Sequence, residues 1–340
     1  MNPVWHEFLV RQAGNRADGE DFGSPMDELT AASANVVIVP LVDQGLIGID
    51  GPDAAPFLHA LATNDVEGLG ADSVRFGGLC TAKGRMFASF YVWRTDGGLV
   101  VQVAADILAA LLKKLSMYIL RSKVKLTDLG VGITLLGIGG PKADALVGQL
   151  AGKVPDVRQL LSMPGGHVMR LDRNRFVLAL EPQAAIDLWP KAVAIARPAG
   201  SAAWRWLEIA AGQPRVVAAT QEAFVPQMLN MEIADVGGLV FTKGCYPGQE
   251  VVARTQYLGK IKRRMYRVAL AAPVLPGTDV FTPESAGQHC GSIVNVAPSP
   301  DGGFEALLVV QSSGAEAGEV HVGSPDGPLV RFLSLPYSVA

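Results

Sequence analysis

Three strand-like runs, two tight turns and a helix follow one another without a break between residues 75 and 119. Arg75–Cys80, Met86–Arg94 and Leu99–Val103 are rich in β-branched and aromatic residues, and Ala82-Lys83-Gly84 and Asp96-Gly97-Gly98 supply the turns between them. Turns this short join antiparallel neighbours. Asp106 is placed to cap a helix in which Ile107, Leu108, Leu111, Leu112, Leu115 and Ile119 recur at helical spacing. The expected class is therefore α+β, with an antiparallel or mixed sheet, and not a doubly wound fold.

The flanking chain extends this reading. Val36–Val39 and Leu46–Ile49 form a strand–turn–strand signal around Asp43-Gln44-Gly45, and Asp53 is expected to cap a helix reaching about Ala62. Ile133–Ile138 reads as a strand and G-I-G-G-P as a turn into a helix through Leu150, with proline at the first helical position. That segment lacks the full G-x-G-x-x-G and a Walker lysine, so a nucleotide loop is the weaker reading. A hairpin at Val168–Leu171 and Phe176–Leu180 precedes helices at Ala184–Ala196 and Ser201–Ala211, the second stopping at Gly212. From Arg263 onward only short alternating runs appear, cut by Pro, Gly and Asp, which predicts a terminal β-barrel. The organisation expected is a polar arm over 1–30, an α+β region over 31–262 with an internal break near 128–135, and the barrel over 263–340.

Composition narrows the function. Of 340 residues, 49% are hydrophobic and 18% charged, with a net charge of −3, which excludes disorder and gives no basic excess for a broad nucleic-acid surface. The basic run Lys260, Lys262, Arg263 and Arg264 is more often a solvated face than an RNA site. Cys80, Cys245 and Cys290 are far apart and form no C-x-x-C pair, and His6, His59, His167, His289 and His321 show no H-E-x-x-H spacing. No disulfide framework or metal site is expected. The N-terminus has an early acid and no long apolar core, and no run is long enough to span a bilayer, so a soluble, cytoplasmic protein without membrane or direct nucleic-acid partners is expected.

The chemistry is concentrated in Phe241-Thr242-Lys243-Gly244-Cys245-Tyr246-Pro247-Gly248-Gln249-Glu250, followed by Val251-Val252-Ala253-Arg254. Two glycines flank a cysteine, which lets the backbone turn tightly. Lys243, if it converges on the thiol, favours thiolate. Gln249 offers an amide to a heterocycle edge and Arg254 a planar fork to a carboxylate. A lone cysteine in a glycine-rich loop is equally well a small buried side chain. No His–Asp or His–Asn partner is placed near Cys245 by sequence, so a papain-like hydrolase is a weak reading.

The string K-G-C-Y-P-G-Q-E resembles the K-G-C-[FY]-x-G-Q-E signature of YgfZ proteins, which are similar to the T protein (aminomethyltransferase) of glycine cleavage and to a mitochondrial iron–sulfur assembly factor. G-L-I-G-I-D-G-P-D-A, L-A-T-N-D-V, C-T-A-K-G-R-M and A-A-G-Q-P extend the likeness from about residue 36 onward. The resemblance implies aminomethyltransferase-like folate-binding domains around a central pocket, a C-terminal β-barrel, and tetrahydrofolate or a one-carbon derivative as cofactor. It implies a role in supporting iron–sulfur enzymes, including tRNA-modifying ones, with iron–sulfur client proteins as partners. Lys243, Gly244, Cys245, Tyr246, Gly248, Gln249 and Glu250 carry the signature.

The resemblance also marks departures from the aminomethyltransferase. Its paired aspartate falls on Ala88-Ser89, and its pterin-reading Glu falls near Arg173, with Asp172 one residue off. Neither Ala88 nor Ser89 is a carboxylate base, and an Arg accepts no hydrogen bond. A true glycine-cleavage enzyme is therefore disfavoured, while a folate-dependent one-carbon transferase or demethylase on a small amine stays as the alternative. The folate-contact position at Trp204 suits stacking on a flat ring, although Trp204 and Trp206 also read as core aromatics. Glu208 lies one helical turn on and is a secondary pterin-edge candidate. Gln44 is either a folate contact or an exposed turn residue, and Asn64-Asp65 either faces the pocket or stops a helix. Lys83 reads as a turn lysine, and the 260–264 basic run as a means of attracting the glutamate tail of folate.

Overall fold

The computed structural model describes residues 1–13, 19–257 and 261–339. The chain forms two compact units that interleave in sequence: residues 1–54, 69–74 and 91–207 in one, and residues 55–68, 75–90 and 208–340 in the other. This division follows spatial contacts, and so cuts across the contiguous segments that composition suggests.

The first unit is built on a six-stranded sheet in the order Arg197–Pro198, Val37–Pro40, Thr134–Gly139, Arg175–Leu180, Gly166–Arg170, Leu160–Met163. Among the described residues its strands pair antiparallel, except Val37–Pro40 with Arg197–Pro198. Thr134–Gly139 and Arg175–Leu180 are buried at every position, as central strands covered on both faces must be. Gly98–Ala104, Gln44–Asp50 and Lys125–Asp128 form a further antiparallel ladder with the second half of strand Met86–Thr95.

The N-terminal residues are not a polar arm. Pro3–Ala13 and Pro25–Ala34 are helices. Trp5 and Leu9 are buried in a core with Ile38, Leu136, Phe176 and Trp189, and the Trp5 ring stands edge-on to Trp189 at 6.1 Å between centroids. Burial of such aromatics supplies a large share of a core's hydrophobic stabilisation.

Two expected caps differ. Asp53, immediately before the helix Ala54–His59, turns its Oδ2 to the Lys123 amide, from which it accepts at 2.6 Å. The helix Ala105–Ser116 has Ala104 at its N-cap, and Asp106 lies in the first turn, where its charge suits the helix dipole. The expected hairpins and the helix Ser201–Ala210 are present.

In the second unit the C-terminal residues form a curled antiparallel sheet in the order His321–Val322, Asp279–Phe281, Gly291–Pro298, Phe304–Gln311, Arg263–Leu270, Arg331–Leu333. A register shift between Ile293 and Asn295 bends it. Val330 N–H donates to Val320 O at 3.0 Å, while Phe332 pairs with Val268, so the last segment bonds both ends of the curl. Val268, Val280, Ile293, Leu308 and Val310 fill its interior. Among the described residues no helix is long and apolar enough to cross a membrane.

Candidate functional site

The signature loop ends in the helix Gln249–Tyr257. Its shape follows from two glycines, though only one of them is in the signature. Gly248 has φ +79, and a Cβ there would meet Thr81 O at 2.3 Å and Gly84 Cα at 2.6 Å. Gly84 has φ +70 and faces Gly248 O and the Val251 side chain. The motifs T-A-K-G-R-M and K-G-C-Y-P-G-Q-E are therefore packed backbone to backbone. Gly244, in contrast, has no left-handed φ and faces open space apart from His59 Nε2 at 3.8 Å.

Lys243 is close enough to Cys245 to feel its charge, but its ammonium is anchored elsewhere as well. Its Nζ donates to the His59 carbonyl and, at 2.6 Å, to Ala62 O, at the end of the helix Ala54–His59 and the turn after it. A cation at a helix C-terminus satisfies carbonyls the helix leaves unpaired. Nζ also stands 5.0 Å from the centroid of the Tyr246 ring. Burial lowers the Lys243 pKa to about 8, against the opposing charges of Asp65, Cys245 and Glu67. Tyr246 is buried, and desolvation pushes its hydroxyl up. Lysine and tyrosine thus anchor the loop, while Cys245 between them is exposed. Cys80 and Cys290 are buried, and burial raises the Cys80 thiol to about 12. Glu250 and Arg254 are exposed and Gln249 is half-buried.

Asn64 is a structural staple. Its amide donates to Phe76 O at 2.7 Å and Gly237 O at 2.8 Å, and its Oδ1 accepts from the Asp65 amide. Both amide hydrogens are used, so none is left for a ligand. Glu208 is buried and ion-paired with Arg215 at 3.4 Å, which occupies the carboxylate expected to read a pterin edge. Asp172 is likewise taken, at 2.6 Å from buried Arg175, while Arg173 is exposed. Lys83 is exposed, as a turn lysine should be.

Trp204 is a core residue, 1% exposed. Its indole lies over Gly137, where a Cβ would meet Cε3 and Cζ3 at 2.5 Å, and the Arg175 guanidinium stands 5.7 Å from the ring. The ring has no face left for a ligand in this arrangement. Trp206 is also buried. Gln44 differs: it lines a cavity of about 220 Å³ in the first unit, with apolar walls from Leu41, Leu46 and Ile133 and polar groups from Thr134 and Asp128. Its Oε1 accepts from the buried Gln102 amide. Of the basic run, Lys262 is exposed, Arg263 is half-buried and Arg264 is paired with Glu232, while Lys260 lies outside the described residues.

One group escaped the sequence reading. His59 Nδ1 lies 3.1 Å from Asp65 Oδ1, and its Nε2 faces Gly244. The position Ala88-Ser89 holds no carboxylate, and the Ser89 hydroxyl accepts from the Val216 amide at 2.8 Å.

The GCVT N-terminal domain family matches residues 12–162. Aminomethyltransferase T of the glycine cleavage system from Bartonella henselae has a similar structure, with a TM-score of 0.74 at 19% identity, over 92% of this chain and 88% of that one. The fold is therefore that of the aminomethyltransferases, here carrying an anchored cysteine loop. The tRNA-modifying protein YgfZ of Photobacterium profundum is 30% identical over 310 residues, 89% of this chain and 92% of its own length. That of Sodalis glossinidius is 29% identical over 321 residues, 93% of this chain and 97% of its own. The chain belongs to the YgfZ family.

Proposed function

We propose that this protein binds tetrahydrofolate or a one-carbon derivative and supports iron–sulfur enzymes, tRNA-modifying ones among them, through the exposed thiol of Cys245. The observation that carries the reading is the contrast within one loop: Lys243 and Tyr246 are sunk as anchors while Cys245 between them is presented to solvent. A structural cysteine would be buried like Cys80 and Cys290. The relatives that bear the name tRNA-modifying protein support the assignment to tRNA modification, and the GCVT domain supports folate. Iron–sulfur client proteins are the partners this reading requires, and a cytoplasmic, reducing setting suits its three free cysteines.

The residues fit folate in part. Gln44 is the expected contact that lines a cavity, and its amide both donates and accepts, as a heterocycle edge needs. The apolar walls suit a flat ring, and about 220 Å³ holds one ring system, below the roughly 300–1,000 Å³ of pockets that enclose drug-sized ligands. Folate, when bound, would supply one-carbon chemistry. Aminomethyl transfer of the glycine-cleavage kind is disfavoured, because Ala88 and Ser89 supply no carboxylate.

Titration calorimetry with tetrahydrofolate, wild type beside Gln44→Ala, tests the folate half; saturable binding that weakens in the variant is expected, and no binding by folded wild type overturns it. Cys245→Ser expressed in cells lacking the native protein tests the other half. It is expected to keep its fold and lose support of iron–sulfur enzyme activity; retained support makes the thiol structural.

A further inference from the structure

A cavity of about 360 Å³ lies in the second unit, where the helix Gln249–Tyr257, the 3₁₀ turn Pro226–Leu229 and the start of the strand Arg263–Leu270 meet. It shares no residue with the cavity that holds Gln44, which belongs to the first unit. Its volume falls within the roughly 300–1,000 Å³ of small-molecule sites. Val225, Met228 and Ile261 give it apolar walls, and the flexible thioether of Met228 can adapt to an irregular guest. Among the described residues that line it, the ionisable ones are Lys262 and Arg263, both cations. Arg264, the next residue of the strand, is neutralised by Glu232, whereas neither Lys262 nor Arg263 has an acidic partner among the described residues. Arg263 is half-buried, so its guanidinium has lost part of its water while its planar fork of donors stays uncommitted. Thr255 Oγ1 donates to Val251 O at 2.9 Å and keeps its own lone pairs, and Gln311 adds an amide to the lining. The walls are tied to one another: the Gln227 amide donates to Val252 O at 2.7 Å, the Ser312 amide donates to Lys262 O at 2.9 Å, and Arg263 stands opposite Gln311 in the sheet register. The site is therefore formed before any ligand arrives.

We propose that this cavity is a binding site for a small organic anion, a phosphate or carboxylate carried on a compact apolar body. The Arg263 fork meets the head group bidentately and Lys262 adds a second positive charge at the mouth. The body lies against Val225, Met228 and Ile261. A neutral ligand would leave the cations without an answering charge, and a bare inorganic anion would leave the apolar walls uncovered. Head and body are both required, and that requirement sets the chemical class. The inference is independent of folate binding and of the Cys245 thiol.

The test is a titration of the full chain followed by amide chemical shifts, with four probes: phenyl phosphate, benzoate, phenol and inorganic phosphate. Saturable shifts at Thr255, Arg263 and Gln311 are expected with phenyl phosphate or benzoate, the tighter of the two naming the head group. Phenol and inorganic phosphate are each expected to bind about tenfold or more weakly than the better anion. Arg263→Met should weaken that anion by about ten- to a hundredfold, the scale of a lost charge-assisted bond. Met228→Trp, which fills the cavity and leaves both cations in place, should abolish its binding. No saturable shift with either organic anion overturns the proposal. So does equal binding of inorganic phosphate, or unchanged binding in Met228→Trp, since either would mean attraction to surface charge alone. Should Met228→Trp fail to fold, Arg263→Met and the comparison of wild type across the four probes decide the matter unaided.

Discussion

A side chain on Gly248 would put its Cβ 2.6 Å from the Cα of Gly84, so the cysteine loop and the Ala82–Gly84 turn touch through bare backbone. Gly248→Ala is expected to cost about 2–4 kcal/mol, combining a left-handed φ with a backbone clash. Gly84→Ala should cost less, because its tightest contacts, Val251 Cβ at 3.0 Å and Gly248 O at 3.3 Å, are looser than those at Gly248. Gly244→Ala, which meets neither constraint, should stay within about 0.5 kcal/mol. Urea unfolding of the three variants checks the order, and an equal cost at 244 and 248 would refute it.

Removing the Lys243 ammonium leaves the carbonyls of His59 and Ala62 without their donor. Lys243→Met should destabilise the protein by about 1–3 kcal/mol, the scale for hydrogen bonds to a charged group. It should also speed proteolytic cleavage in 241–248, since the loop loses its tie. Limited proteolysis with mass spectrometry reads this directly.

The same lysine gives a pH dependence of definite sign. Its pKa is about 8 folded against 10.5 for the ordinary side chain, so between these values the unfolded chain binds more protons. Unfolding free energy therefore rises with pH through this window. The stability advantage of wild type over Lys243→Met should grow from pH 7.5 to pH 10. A flat or shrinking difference would show that burial does not depress this amine.

Trp204→Ala should behave as a core deletion and not as a binding variant. With its indole packed on Gly137 and 1% exposed, truncation should cost about 3–5 kcal/mol. A thermal melt decides: a near-native melting temperature would mean that the ring is dispensable to the core and available to a ligand.

The elements that sequence announces here are those with local causes. The hairpin between Met86–Thr95 and Gly98–Ala104 follows from Asp96-Gly97-Gly98, and the helix Ala105–Ser116 from its apolar spacing. The helix Pro3–Ala13 was hidden because only Trp5, Phe8 and Leu9 turn inward among polar neighbours, and a Gly- and Asp-rich stretch follows. Strands Asp279–Phe281 and His321–Val322 are too short to carry an alternation. The cysteine was legible from its motif, but its surroundings were not. Nothing near residue 245 says that the His59 ring faces Gly244, that Lys243 donates to distant carbonyls, or that a missing side chain at Gly137 makes room for Trp204.

The interleaving of the two units sets an order on synthesis. Lys243 finds the carbonyls of Ala62 and His59 across 181 and 184 residues. At a ribosomal pace of about 5–20 residues per second, the helix Ala54–His59 leaves the exit tunnel roughly 10–40 s before its anchor does. The cysteine loop can thus take its final form only after Lys243 has emerged to meet carbonyls made long before it.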